Sequence, residues 1–163
     1  MKRIFSIFCM SLLLFVGIFS TCGNQKVFAE EAPALSSFNI IGYSYDAVRN
    51  SYGKDEYLPT SVAEKDPVYG STAYIYTESI GYGNRPSFFV DGKYYGNPVE
   101  DFNYFLTYQD SQEAYGSINA YPVDNLTPGK HTIKVCTESS NPTYRGGSLV
   151  YPSFSDSITI TVQ

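Results

Sequence analysis

The residues able to do chemistry are few. His131 is the single histidine, in the run His131-Thr132-Ile133-Lys134-Val135-Cys136. A catalytic imidazole needs a nucleophile beside it and a third group to orient it. In an extended strand alternate side chains take opposite faces, so His131 and Cys136 do not meet, and no Gly-x-Ser-x-Gly elbow supplies another nucleophile. One His and one Cys also fall short of the three or four nitrogen and sulfur ligands of a zinc site. The reading is no catalytic residue, no metal ligand set and no cofactor, and the chain is not expected to be an enzyme.

Carboxylates are more plentiful, and Glu100, Asp101, Asp110 and Glu113 form the densest group. A glycosidase holds two carboxyls about 5–10 Å apart across a cleft. Calcium takes six to eight oxygens, and no loop pattern here supplies them. Adjacent acids on an extended chain point to opposite faces, so Glu100 and Asp101 are expected to be solvated rather than paired. The sharper signal is aromatic: sixteen Tyr and eleven Phe with no Trp. Across residues 71–77, Ala73, Ile75 and Thr77 share one face while Thr72, Tyr74 and Tyr76 share the other. With Ala73 and Ile75 turned to a core, Tyr74 and Tyr76 face outward as a rigid surface with hydroxyls for hydrogen bonding. These two are the expected ligand-binding residues, for an extracellular protein or a glycan.

Such a surface requires strands, and the chain is written for them. Tyr, Phe, Thr, Val and Ile alternate with turn residues throughout its second half. Residues 71–77, 87–90, 93–95, 117–123, 131–136 and 158–162 read as strands, with turns at Asp91-Gly92 and Thr127-Pro128-Gly129. Residues 99–108, carrying Phe102, Phe105 and Leu106, fit two turns of helix or a strand. Most strands are apolar on one face only, as packed antiparallel sheets require. Residues 30–59 read as an N-terminal arm adding one strand at a sheet edge, and residues 60–163 as the main domain.

The start of the chain predicts export. Lys2 and Arg3 precede an apolar run over residues 4–19, and Val27-Phe28-Ala29 then places small residues before the acidic pair Glu30-Glu31. That is the layout of a signal peptide over residues 1–29, with a run too short to span a membrane comfortably. A lipid anchor at Cys22 is the competing reading, but Phe19-Ser20-Thr21 fits that processing poorly. Cleavage after Ala29 removes Lys2, Arg3 and Lys26, leaving eight basic residues against sixteen acidic ones, a net charge of −8. So acidic a domain is repelled by phosphate backbones, which argues against a nucleic-acid partner. Cys9 and Cys22 leave with the leader, so Cys136 has no disulfide partner within the chain. Export without a disulfide framework fits a Gram-positive bacterium.

Three motifs then carry a resemblance. Pro67-Val68-Tyr69-Gly70 precedes the first alternating strand, Phe88-Phe89-Val90-Asp91-Gly92-Lys93 stands in the middle, and residues 126–135 read Leu-Thr-Pro-Gly-Lys-His-Thr-Ile-Lys-Val. With the closing Ser157-Ile158-Thr159-Ile160-Thr161-Val162, their order resembles the bacterial Ig-like domains of surface and adhesin proteins. Residues 97–116 are longer than that family's middle segment, and residues 141–147 match no pattern of it. The resemblance implies an all-β, immunoglobulin-like antiparallel β-sandwich with a non-catalytic habit. The function expected is a secreted module for extracellular binding or a structural role at the cell surface, with a carbohydrate-binding sandwich as the alternative.

Overall fold

The computed structural model describes residues 32–109 and 112–163; the expected leader and Cys22 lie outside them. In chain order the elements are β1 (Ser37–Ser44), a seven-residue helix α1 (Asp46–Tyr52), β2 (Leu58–Pro59) and a 3₁₀ turn (Thr60–Val62). Then come β3 (Ala73–Ile80), β4 (Ser87–Val90), β5 (Lys93–Gly96), β6 (Phe102–Thr107) and β7 (Ala114–Val123). The last are β8 (Gly129–Glu138), β9 (Thr143–Arg145), β10 (Ser148–Val150) and β11 (Ser153–Val162). No described helix is long and apolar enough to cross a membrane.

Two antiparallel sheets pack face to face. One has the order β2-β1-β3-β7-β6, the other β11-β8-β4-β5, and β9 and β10 form a separate hairpin. The alternation expected from the sequence sets the core: Ala73 and Ile75 of β3, Tyr121 and Val123 of β7, Phe88 of β4, Ile133 and Val135 of β8, and Ile158 and Ile160 of β11 are all buried. Residues 102–107, open to either assignment, are strand. Asp91 and Gly92 both take positive φ, 50° and 78°, the type I′ geometry that matches strand twist in a two-residue hairpin. Gly146 and Gly147 do the same for β9–β10, so the stretch outside the resemblance is a second tight hairpin.

The N-terminal segment differs from an arm. β1 pairs with β3 along its length, from Ser37↔Ile80 to Ser44↔Tyr74, and buries Phe38, Ile40 and Tyr43 in the common core. β11, in the other sheet, lies across the sandwich from it, and the Ile40 N–H donates to Asp156 Oδ2 at 2.8 Å. The connection after the 3₁₀ turn seals this seam: the Val68 N–H donates to Thr161 O at 2.8 Å and the Gln163 N–H to Val68 O at 2.9 Å. Two apolar residues in Phe38-Asn39-Ile40 at strand spacing were the trace of this. The Tyr-rich polar stretch behind them masked it, because tyrosine satisfies a half-buried and an exposed position equally well. Residues 32–163 form one compact unit.

Candidate functional site: a polar cleft between the sheets

The expected site residues come first. Tyr74 and Tyr76 do lie on the face of β3 turned away from the core, but that face is not open. Residues 46–57 fold back over it, and Tyr76 is fully buried. Tyr57 stacks on Tyr76 with centroids 5.0 Å apart, and the Tyr76 hydroxyl donates to Lys54 O at 2.5 Å. Burial, with help from Asp101 against Arg49, pushes the Tyr76 phenol up to about 12. Tyr74 is half-buried under Arg49, whose guanidinium carbon sits 3.7 Å from the ring centroid. Its hydroxyl donates to Asp46 Oδ1 at 3.0 Å. The outward tyrosines expected from alternation are therefore a fastening for the segment above them. Nothing in β3 itself announces that cover, since a strand's pattern reports one face and its neighbours decide the other.

Glu100 and Asp101 part as adjacent residues should. Asp101 joins the fastening, accepting from Arg49 Nη2 and, at 2.9 Å, from Lys54 Nζ. Glu100 turns to the opposite side of the sheet and lines a cleft. Asp110 lies outside the described residues. His131 is a rim residue of the core face: its Nδ1 lies 2.8 Å from Asp91 Oδ2 and its Nε2 2.7 Å from Thr127 O. Cys136 is partly buried on the other face of β8, as the alternation expects.

The cleft arises because the inward face of the five-stranded sheet changes character along its length. On β3 the inward positions run Ala73, Ile75, Thr77, Ser79; on β7 they run Val123, Tyr121, Asn119, Ser117. Cross-strand register pairs the apolar ends with each other and the polar ends with each other, ending in Thr77↔Asn119 and Ser79↔Ser117. Edge strand β6 continues the polar end with Asn103↔Asn119 and Phe105↔Ser117. Hydroxyls and amides here cannot interlock with an apolar facing sheet, and no strand of the second sheet covers Phe105, which stays 56% exposed. A cavity of about 440 Å³ opens between this end of β6–β7, the β3–β4 connection (81–86) and Val99-Glu100. That is within the range of small-molecule sites.

Its polar groups form a relay. Asn103 Nδ2 donates to Asn119 Oδ1 at 2.5 Å, and Asn119 Nδ2 donates to Ser117 Oγ at 2.9 Å. Ser117 Oγ then meets Ser79 Oγ at 3.2 Å. Asn103 at the outer end, bonded through one N–H, has no other side-chain partner among the described residues. At the inner end Tyr121 packs its ring on Phe88, centroids 5.3 Å apart. The residue is only 6% exposed, yet its hydroxyl has no protein partner among the described residues. Burial raises the Tyr121 phenol well above its ordinary value, Glu100 raises it further, and Arg85 works against both. Among the described residues Arg85 is tied through Nε, which donates to Pro98 O at 3.1 Å. Of the exposed aromatics of β6, Phe105 lines the cavity, while Tyr104, paired with Ile118, takes the opposite face of the sheet.

Sequence reasoning missed this cleft. The signal was present as a switch from apolar to polar residues at same-face positions midway along two strands, Ile75 to Thr77 and Tyr121 to Asn119. Such a switch marks where two sheets stop packing. The family described as "Domain of unknown function (DUF4879)" matches residues 29–160, including both the N-terminal strand and the cleft. No curated protein and no solved structure matches the chain.

Proposed function

We propose that this chain, which belongs to the DUF4879 family, is exported and acts as a non-catalytic, immunoglobulin-like binding module at or beyond the surface of a Gram-positive bacterium. Its ligand, an extracellular protein or glycan, is met in the inter-sheet cleft. The observation that carries the binding reading is Tyr121: its ring is buried against Phe88, while its hydroxyl lines the polar cavity and has no protein partner among the described residues. The buried side-chain oxygens without a partner among the described residues are Ser44 Oγ and Thr77 Oγ1, so the Tyr121 hydroxyl opens on the cleft, where a ligand can exchange for water.

The immunoglobulin-like reading is supported by strand order. β1-β3-β7-β6 and β11-β8-β4 follow the sequence of strands in the two sheets of an immunoglobulin domain, with β5 added beside β4. His131, near the start of β8, bonds the backbone of Thr127 four residues upstream, as the corner tyrosine of such domains does. Export rests on the basic, apolar and small-residue layout of residues 1–29, and the family match begins at residue 29.

Two measurements test this. The mass of the protein recovered from the medium should correspond to residues 30–163; a lipid on Cys22 overturns release, and an intact leader in the cytoplasm overturns export. Arrayed extracellular proteins, peptides and glycans should give a ligand held by the purified protein and lost on Asn103→Trp, which fills the cleft mouth from an exposed edge strand. A ligand bound equally by both proteins overturns the cleft as the site.

A further inference from the structure

Resting on the cleft as the binding site, we propose that its ligand is a short neutral saccharide, with a sugar ring lying against Phe105 and its hydroxyls meeting Asn103 and Tyr121. Three features of the cavity select this chemistry. The first is charge. One guanidinium, Arg85, and one carboxylate, Glu100, line the same cavity, so a net anion or cation gains on one wall what it loses on the other. The second is unspent hydrogen-bonding capacity. The Asn103 carbonyl and second N–H and the Tyr121 hydroxyl offer donors and acceptors together, as a polyol needs. An apolar ligand would strip water from these groups and leave them unpaired. The third is the pairing of those groups with an exposed ring. Phe105 stands on the inward face of β6 beside the relay, and an aromatic face suits the C–H surface of a pyranose as the amides suit its rim. About 440 Å³ accommodates a mono- or disaccharide with room for bridging water.

An extended peptide is the competing occupant, because β6 is an edge strand with a free row of backbone groups. A peptide added there would bond in the plane of the sheet. It would leave the Tyr121 hydroxyl, which lines the cavity between the sheets, without a ligand contact. The unpartnered groups therefore favour the saccharide.

The experiment is titration of the purified protein with neutral gluco-, galacto-, manno- and N-acetylglucosamine oligosaccharides, read by calorimetry and by amide chemical shifts. At least one series should saturate the protein with shifts centred on β6 and β7. Phe105→Ala and Tyr121→Phe should each weaken it by roughly tenfold or more with circular dichroism unchanged. Tyr74→Phe, on the covered face, should bind as the parent does. If no neutral saccharide binds up to roughly 50 mM, the proposal fails. Binding that survives both cleft variants also sinks it. A peptide that binds the parent and not Asn103→Trp, with no saccharide binding, overturns the saccharide while leaving the cleft as the binding site.

Discussion

Glu100 and Asp101 are neighbours in the chain and end on opposite sides of the five-stranded sheet, where their surroundings treat them differently. On the outer side Asp101 meets Arg49 and Lys54, and Arg49 is sandwiched between Asp101 and the Tyr74 ring with its side chain 5% exposed. On the inner side Glu100 has no ion pair among the described residues, and neither has Arg85. Both regions hold an arginine, a carboxylate and tyrosines. One region has consumed its interactions internally to hold a helix on a sheet; the other retains them. Density of aromatic and charged residues therefore does not locate a site. The informative quantity is the hydrogen-bonding and stacking capacity left over after folding.

The largest test of this contrast is Arg49→Ala. Removing one member of a buried pair leaves its partner uncompensated, at about 3–5 kcal/mol when both are deeply buried. Asp101 is 34% exposed and retains Lys54, so the loss expected is about 3 kcal/mol, measured by urea unfolding. Phe105→Ala should cost less than about 1 kcal/mol in the same assay, since an exposed ring contributes little to folding. Equal losses from the two substitutions would erase the distinction between a fastening and a site.

A smaller effect is expected at Gly81, where the cleft meets the N-terminal segment. Its φ is +85°, and a Cβ there would lie 2.2 Å from Ala34 O. That close approach lets the Tyr82 N–H reach Pro33 O at 2.9 Å. Gly81→Ala should destabilise by about 1–3 kcal/mol through strain and displacement. Gly92→Ala, also at positive φ but with open space around the new carbon, should cost about 1 kcal/mol. If the two melt alike, the backbone contact at Ala34 contributes nothing and the cleft floor is not fixed by it.

Most of the sandwich was legible because its strands are polar on one side: Ile133 and Val135 against Lys134, Ile158 and Ile160 against Thr159. Such alternation specifies register as well as burial, since a one-residue slip would exchange the faces. What escaped were contacts made by residues that serve both environments. Tyr76 reads as a surface residue until α1 is known to lie over it, and α1 itself has no side-chain N-cap and spans only seven residues. Its helicity comes from Arg49 and Val48 packing downward, a tertiary cause invisible to local propensity. The cleft escaped for a related reason. Asn119 and Ser117 look like outward positions of a strand, and only the register with β3 and β6 turns them between the sheets.

The smallest expected effect lies at the end of β8 and depends on pH. Both ring nitrogens of His131 face acceptors, the Asp91 carboxylate and the Thr127 carbonyl, so both donate only in the imidazolium form. The bond to Thr127 and then the pairing with Asp91 raise the His131 pKa, against the effect of burial. The Asp91 carboxyl is held below its ordinary range by the Thr132 N–H, at 2.8 Å, and by His131. A raised histidine contributes stability that is complete below its unfolded value near 6.5 and is lost as pH rises through the folded value. A lowered aspartate contributes stability above its unfolded value near 3.8 and loses it on further acidification. The corner should thus be tightest between those two limits. Thermal unfolding of the parent should fall between about pH 6 and pH 8.5 by more than that of His131→Gln, which cannot titrate. Parallel slopes would mean that the imidazolium is not what ties β8 to the turn before it.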